Sequence, residues 1–253
     1  MRAKMDSQPT PGQVSDDYVM VGLDWAVVFD GATALKPAEN GCIHNVPWVV
    51  HHMAGHLAQT LTAVPQVELS EALANAIEYT CSAHRDTFDL SNPDSPSSTV
   101  TILRQRGDEL NYLVLGDSPL LLRRGGRVDA ILDERMANLT DYSYDAVIAV
   151  QNTPQGYYVA STMPEAAYKS VVGTVSVGDI DSAALLTDGA SRLVDAFGLL
   201  TWDQLFSLMI EEGPTALIAR TRRVEREGAK AGDGRTRKDH DDATAVLLAF
   251  GQD

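Results

Sequence analysis

Three widely separated aspartates each stand beside an apolar run that reads as a β-strand: Asp30 in VVFDG, Asp188 in AALLTDG and Asp241 ahead of ATAVLLAF. Short apolar runs bounded by turn residues mark strands buried in a sheet. The strand fixes where a side chain at its end points, and glycine after aspartate lets the backbone turn sharply beside the carboxylate. A single Asp-Gly is also an ordinary turn. The signal is its ordered recurrence, with a further Gly116-Asp117-Ser118 after the run LNYLVL. The pattern predicts carboxylates from distant segments meeting at one sheet edge. Hard divalent cations such as Mg²⁺ and Mn²⁺ take oxygen ligands, and a site for two of them needs several such carboxylates.

Around these aspartates the chain alternates strands and helices. Strands are expected at YVMVG and WAVVFDG, joined by a tight turn at Gly22-Leu23-Asp24, then at STVTILRQ, ELNYLVLGD, PLLLRRG and RVDAIL, and finally at SAALLT and TAVLLAF. Helical periodicity predicts helices over Pro47 to Ala63 and Leu69 to Thr87, and later from about Ala190, over Trp202 to Ile210 and over Pro214 to Glu227. Residues from about Asp133 to Gly178, with weak periodicity and many Tyr and Asn, read as a loop-and-helix excursion. Residues 1–15 are rich in Pro, Gly, Ser and Asp and read as a mobile tail, with 16–253 as the folded domain.

The motifs occur in the order found in the metal-dependent Ser/Thr protein phosphatases of the type 2C family, which the chain resembles from about Asp16 to Phe250. The correspondence runs through the acidic pair Asp16-Asp17, where the family has Glu-Asp, then Asp30-Gly31 and Ser98-Thr99-Val100. It continues through Gly116-Asp117-Ser118, Thr187-Asp188-Gly189 and Asp241-Asp242-Ala243-Thr244. The resemblance implies an α+β fold, a four-layer αββα sandwich with two central antiparallel sheets flanked by helices. It also implies two Mn²⁺ or Mg²⁺ ions: Asp30 bridging them, Asp16 and the Gly31 carbonyl completing one shell, Asp188 and Asp241 the other, and Asp117 serving a third ion. Asp17 and Asp242 are expected to hold metal-bound waters, or else to be solvated neighbours.

Two departures from the family bear on substrate capture. The arginine that usually precedes the acidic pair is missing, since Gly12, Gln13, Val14 and Ser15 occupy that stretch, and Asp30-Gly31 continues as Ala32-Thr33. Arg192, four residues beyond Asp188, is the candidate phosphate clamp; the competing readings are an exposed helix arginine or an ion pair with Asp195. His44 is either the proton donor to the leaving group or a loop histidine. His52 and His56 have i, i+4 spacing without an HExxH glutamate, which argues against zinc. The basic run from Arg220 to Lys238 is either a solvated face or a surface that gathers an acidic phosphopeptide.

With 253 residues, 44% of them hydrophobic, the chain can bury one full core. A net charge of −15 argues against nucleic acid as a partner. Cys42 and Cys81 lie in no CxxC context and are expected reduced. MRAKMDSQPT lacks the apolar stretch of a signal peptide, and no run approaches a membrane span, so a cytoplasmic monomer is expected. The expected activity is metal-dependent phosphomonoester hydrolysis on Ser/Thr of phosphoproteins. The rivals are a pseudophosphatase that acts as a binding module and a phosphatase of small metabolites.

Overall fold

The computed structural model describes residues 1–32, 44–84, 89–228 and 239–250. Its ten strands form two five-stranded sheets in which every neighbouring pair is antiparallel. One sheet has the order β2 (Tyr18–Val21), β3 (Trp25–Ala32), β4 (Ser97–Arg106), β5 (Glu109–Leu115), β8 (Val171–Ser176). The other runs β1 (Arg2–Gln8), β10 (Ala243–Ala249), β9 (Ser182–Leu186), β6 (Leu120–Arg124), β7 (Arg127–Ile131).

Strand alternation builds three apolar layers from these sheets. On β3, Ala26 and Val28 face the second sheet, where they join Leu120, Leu185, Val246 and Leu248. Val27 and Phe29, one residue out of phase, face α1 (Val46–Ala63) and α2 (Leu69–His84). On β9, Leu185 points between the sheets, whereas Leu186 points at α4 (Asp188–Asp195), α5 (Trp202–Glu212) and α6 (Pro214–Arg226). The result is the expected αββα sandwich. A short helix, α3 (Tyr144–Ala149), lies in the excursion after β7.

Local chemistry sets the helix starts. Asn45 caps α1 by accepting from the Trp48 N–H at 3.1 Å, with Pro47 in the first turn where its missing donor costs nothing. Thr201 and Gln204 close a capping box on α5. Along α1 the buried residues Val46, Val50, Met53, Leu57 and Leu61 recur at helical spacing and lay one stripe on the sheet.

Two expectations need correction. Residues 2–8 are not a tail: they pair with β10 over seven positions, from Arg2 opposite Ala249 to Gln8 opposite Ala243. The strand escapes a hydrophobic reading because it lies at a sheet edge, with side chains mostly exposed, so backbone hydrogen bonds rather than apolar burial place it. The excursion after β7 likewise contains a strand, β8, whose VVGTVS alternates half-buried and exposed along the edge of β5. Cys42 and the basic residues Lys230, Arg235, Arg237 and Lys238 lie outside the described residues. Among the described residues no helix is long and apolar enough to cross a membrane.

Deleting residues 1–8 is expected to destabilise the fold by on the order of 2 kcal/mol or more. Urea unfolding of the truncated chain checks this, and an unchanged midpoint would mean that the segment behaves as a tail after all.

Candidate metal and phosphate site

The aspartates singled out by sequence meet where the two sheets and α4 come together. Asp30 lies near the end of β3, opposite Thr99 of β4, Asp117 sits in the turn from β5 to β6, Asp188 opens α4, and Asp241 precedes β10. Asp30, Gly31, Asp117, Asp188 and Asp241 all line one cleft of about 170 Å³. Its other walls include Ser97, Thr99, Gln151 and Tyr157, and no lysine, arginine or histidine is among its described lining residues.

Two glycines make this convergence sterically feasible. A Cβ on Gly31 would overlap the Asp16 carbonyl oxygen and Val46, and one on Gly189 would overlap the Asp242 carbonyl oxygen. The acidic pair therefore packs directly on the backbone of β3, and the first turn of α4 packs directly on the segment that carries Asp241.

Crowding like charges away from water makes ionisation costly. Burial first, then the charge of Asp188, holds the Asp30 carboxyl well above its usual range. Burial first, then Asp241 and Asp117, does the same to Asp188. Asp30 gains one compensating contact, as Oδ2 accepts the Asp188 N–H at 3.1 Å. Asp17 is buried, and desolvation pushes its carboxyl up to about 7 against the lowering effect of two hydroxyls. Those donors are Thr187 Oγ1 at 3.0 Å and Thr244 Oγ1 at 2.8 Å, both on Oδ2, while the buried Oδ1 has no partner.

Among the described residues no three carboxylate, imidazole or thiol side chains stand close enough to form a ready-made ion cage. The donor set nevertheless suits hard divalent cations. Its charged donors are all carboxylates and no basic side chain is among the described residues of the cleft lining; Asp17, outside that lining but close enough to act on Asp30, carries an orphaned buried carboxylate oxygen.

The remaining candidates fall into place differently from one another. Asp16 packs on Gly31 with its N–H donated to Asp242 Oδ2 at 2.6 Å, and it is not among the cleft's lining residues. Asp242 is no free solvated neighbour: Oδ1 accepts the Thr10 N–H at 2.6 Å while Oδ2 takes the Asp16 N–H, so both oxygens clamp the N-terminal segment. His44 lines neither the cleft nor the adjoining cavity; its ring stacks on Trp48 at 4.0 Å, and Trp48 stacks in turn on His52. That stacking holds the ring against α1.

Arg192 is buried rather than exposed, and it lines a larger cavity beside Asp188 and Asp241. Its Nη1 donates to Glu225 Oε1 at 2.7 Å. Glu225, whose side chain is 0% exposed, also accepts from Arg222 Nη1 at 3.0 Å and His240 Nδ1 at 2.8 Å, and Arg222 Nη2 reaches the Gln8 and Pro9 carbonyls. Glu225 thus ties together α4, α6, the end of β1 and the residue before Asp241. Arg222 is accordingly no part of a solvated basic face.

Sequence reasoning missed Glu225, Gln151 and Tyr157. Glu225 carried a faint signal, an acid three residues after an arginine in a basic run. Tyr157 donates to Gln151 Oε1 at 3.0 Å across the cleft from the aspartates, a placement that depends on the fold of an aperiodic segment.

Glu225→Ala would leave two buried arginines without their shared carboxylate. The expected loss is about 3–5 kcal/mol, read by urea unfolding; a loss under about 1 kcal/mol would show that the cluster contributes no more than a surface pair.

A family model for protein phosphatase 2C matches residues 7–220. A search of curated proteins found no match. Among solved structures, the chain is similar to the PPM Ser-Thr phosphatase MsPP from Mycobacterium smegmatis, crystallised with cacodylate, at 18% identity and TM-score 0.62, with 99% of each chain covered. It is also similar to the catalytic domain of the serine threonine protein phosphatase PstP in complex with two manganese ions, at 16% identity and TM-score 0.60 over 98% of this chain and 97% of that one. Stp1 from Staphylococcus aureus aligns at 12% identity and TM-score 0.64, covering 99% and 95%. These likenesses are of fold. Because the family match runs from the end of β1 into α6 and takes in Asp30, Asp117 and Asp188, the chain belongs to the protein phosphatase 2C family and is a hydrolase of the metal-dependent protein phosphatase class.

Proposed function

We propose that this protein removes phosphate from phosphoserine and phosphothreonine in proteins, with water as the nucleophile and two Mn²⁺ or Mg²⁺ ions in the cleft. The observation that carries this reading is a cleft lined by Asp30, Asp117, Asp188 and Asp241 with no basic side chain among its described lining residues. Such a set invites cations in place of protons.

Asp30 would serve both ions, Asp188 and Asp241 one of them, and the Gly31 carbonyl with Asp16 the other, leaving Asp117 for a third. When bound, the ions lower the pKa of water and neutralise charge on the phosphoryl group. The protein's own residues hold this arrangement. The Asp188 N–H orients Asp30, the hydroxyls of Thr187 and Thr244 orient Asp17, and Asp242 holds the backbone of Asp16 in place. Tyr157, whose phenol is raised by burial and then by Asp117, stays a neutral hydroxyl facing the carboxylates. Arg192, fixed by Glu225, brings positive charge beside Asp188 in place of the arginine missing from residues 12–15.

Hydrolysis of p-nitrophenyl phosphate and of phosphopeptides is expected with Mn²⁺ and not with EDTA. Asp30→Asn and Asp188→Asn should reduce turnover to background and remove Mn²⁺ binding in calorimetry, with the circular dichroism spectrum unchanged. Wild-type turnover in either variant would sink the mechanism, and preference for metabolites over phosphopeptides would move the substrate class.

Metal binding should also appear in stability. The Asp17, Asp30 and Asp188 carboxyls hold protons more tightly folded than unfolded. Metal-free stability is therefore expected to fall as pH rises from about 4 through about 7. Mn²⁺ favours the deprotonated forms, so it should raise Tm more at about pH 8 than at about pH 5.5. A metal-free Tm that climbs steadily over that range would contradict the sign.

A further inference from the structure

Beside the carboxylate cleft lies a second cavity of about 550 Å³, and Asp117, Asp188 and Asp241 line both. The larger cavity is therefore within reach of side chains next to a phosphorylated residue whose phosphate sits at the aspartates. The remaining walls are largely apolar, with Pro119, Leu132, Met136, Val147 and Trp202 among them. The charged lining residues are carboxylates apart from Arg192, and two of these, Glu134 and Asp195, are exposed.

Both flanks of this cavity are anchored before any ligand arrives. Asp133 accepts from Arg135 Nε at 2.7 Å and from the Gly116 N–H at 3.2 Å, which pins the wall from Leu132 to Ala137 onto the turn that carries Asp117. Arg135 in turn donates to the Lys169 carbonyl at 2.7 Å and lies over the Tyr158 ring at 4.8 Å. On the opposite flank, Trp202 sits in the capped first turn of α5, and the neighbouring Asp203 accepts the Val128 N–H at 2.9 Å. A cavity of this size, whose walls set apolar side chains beside carboxylates, has room for a large side chain.

We propose that this cavity is a specificity pocket for the phosphoprotein substrate. It takes a large apolar side chain within a residue or two of the phosphorylated serine or threonine, and it disfavours an acidic side chain there. The proposal rests on the phosphatase activity argued above. Apolar walls reward burial of an apolar side chain, while Glu134 and Asp195 repel a like charge at the entrance. A hydrophobic pocket of this kind typically discriminates by about tenfold to a hundredfold.

The test uses phosphothreonine peptides that differ only in carrying Phe, Ala or Asp at each of the two positions on either side of the phosphothreonine. With the full-length protein and Mn²⁺, one position should show kcat/KM about tenfold higher for Phe than for Ala, and lower again for Asp. Trp202→Ala and Val147→Asp should each shrink the Phe-to-Ala ratio at that position toward one. The ratio is the readout because a general loss of folded enzyme cancels from it. Brisk turnover with Phe, Ala and Asp equivalent at every position overturns the pocket alone, as does a ratio unchanged in both variants. If the wild-type protein turns over neither p-nitrophenyl phosphate nor any peptide, the phosphatase reading and the pocket fall together.

Discussion

Mutual repulsion among desolvated carboxylates is the constraint around which this molecule is organised. Burial first, then the charge of Asp188, raises the proton affinity of Asp30, and burial first, then the charges of Asp241 and Asp117, raises that of Asp188. Left to local preference, such side chains would move apart into water. They are kept together because each is carried in or beside a different strand or helix, and those elements are joined by three apolar layers. The sandwich is in this sense a frame that holds an unfavourable charge distribution, and the family to which the chain belongs turns that distribution to use by admitting divalent metal.

The frame has a second fastening made of polar contacts. Residues 7–16 are gripped at three points: Ser7 on Thr244, the Thr10 and Asp16 N–H groups on Asp242, and the Gln8 and Pro9 carbonyls on Arg222. Arg222 is held by Glu225, which also holds Arg192 on α4 and His240 next to Asp241. A buried ion cluster of this kind is a poor source of net stability, since desolvation offsets most of the attraction. Its value is geometric, because through α6 it joins the backbone that leads to Asp16 to α4, which carries both Asp188 and Arg192.

Much of this was legible in the sequence because the responsible features are local. Apolar runs and turn residues gave β2 to β7, β9 and β10, and helical periodicity gave α1, α2, α5 and α6 with boundaries close to those observed. The aspartates after strands were legible for the same reason. Edge strands were not, because β1 and β8 owe their place to pairing with β10 and β5, and a strand that buries little apolar surface leaves no periodic trace. Roles set by long-range contacts were equally hidden. Nothing in the order Asp241-Asp242 says that the first lines a cleft while the second grips backbone 226 and 232 residues away. Likewise, nothing near His44 announces that Trp48 will claim its ring.

Thr187 stands at the N-cap of α4 without capping it. Its hydroxyl is given to Asp17 and also accepts the Thr244 N–H, while the Asp188 N–H, a donor that the helix itself leaves unpaired, is given to Asp30. The first turn of α4 therefore adds support from outside the helix to its own bonds, in which the Ala190 and Ser191 N–H groups donate to the Thr187 carbonyl. It is held in part by the same carboxylates whose charge it helps to tolerate, so fraying of that turn is coupled to the electrostatic state of the cleft. Backbone amide exchange at the start of one short helix should thus report, from within the scaffold, what the aspartates have bound.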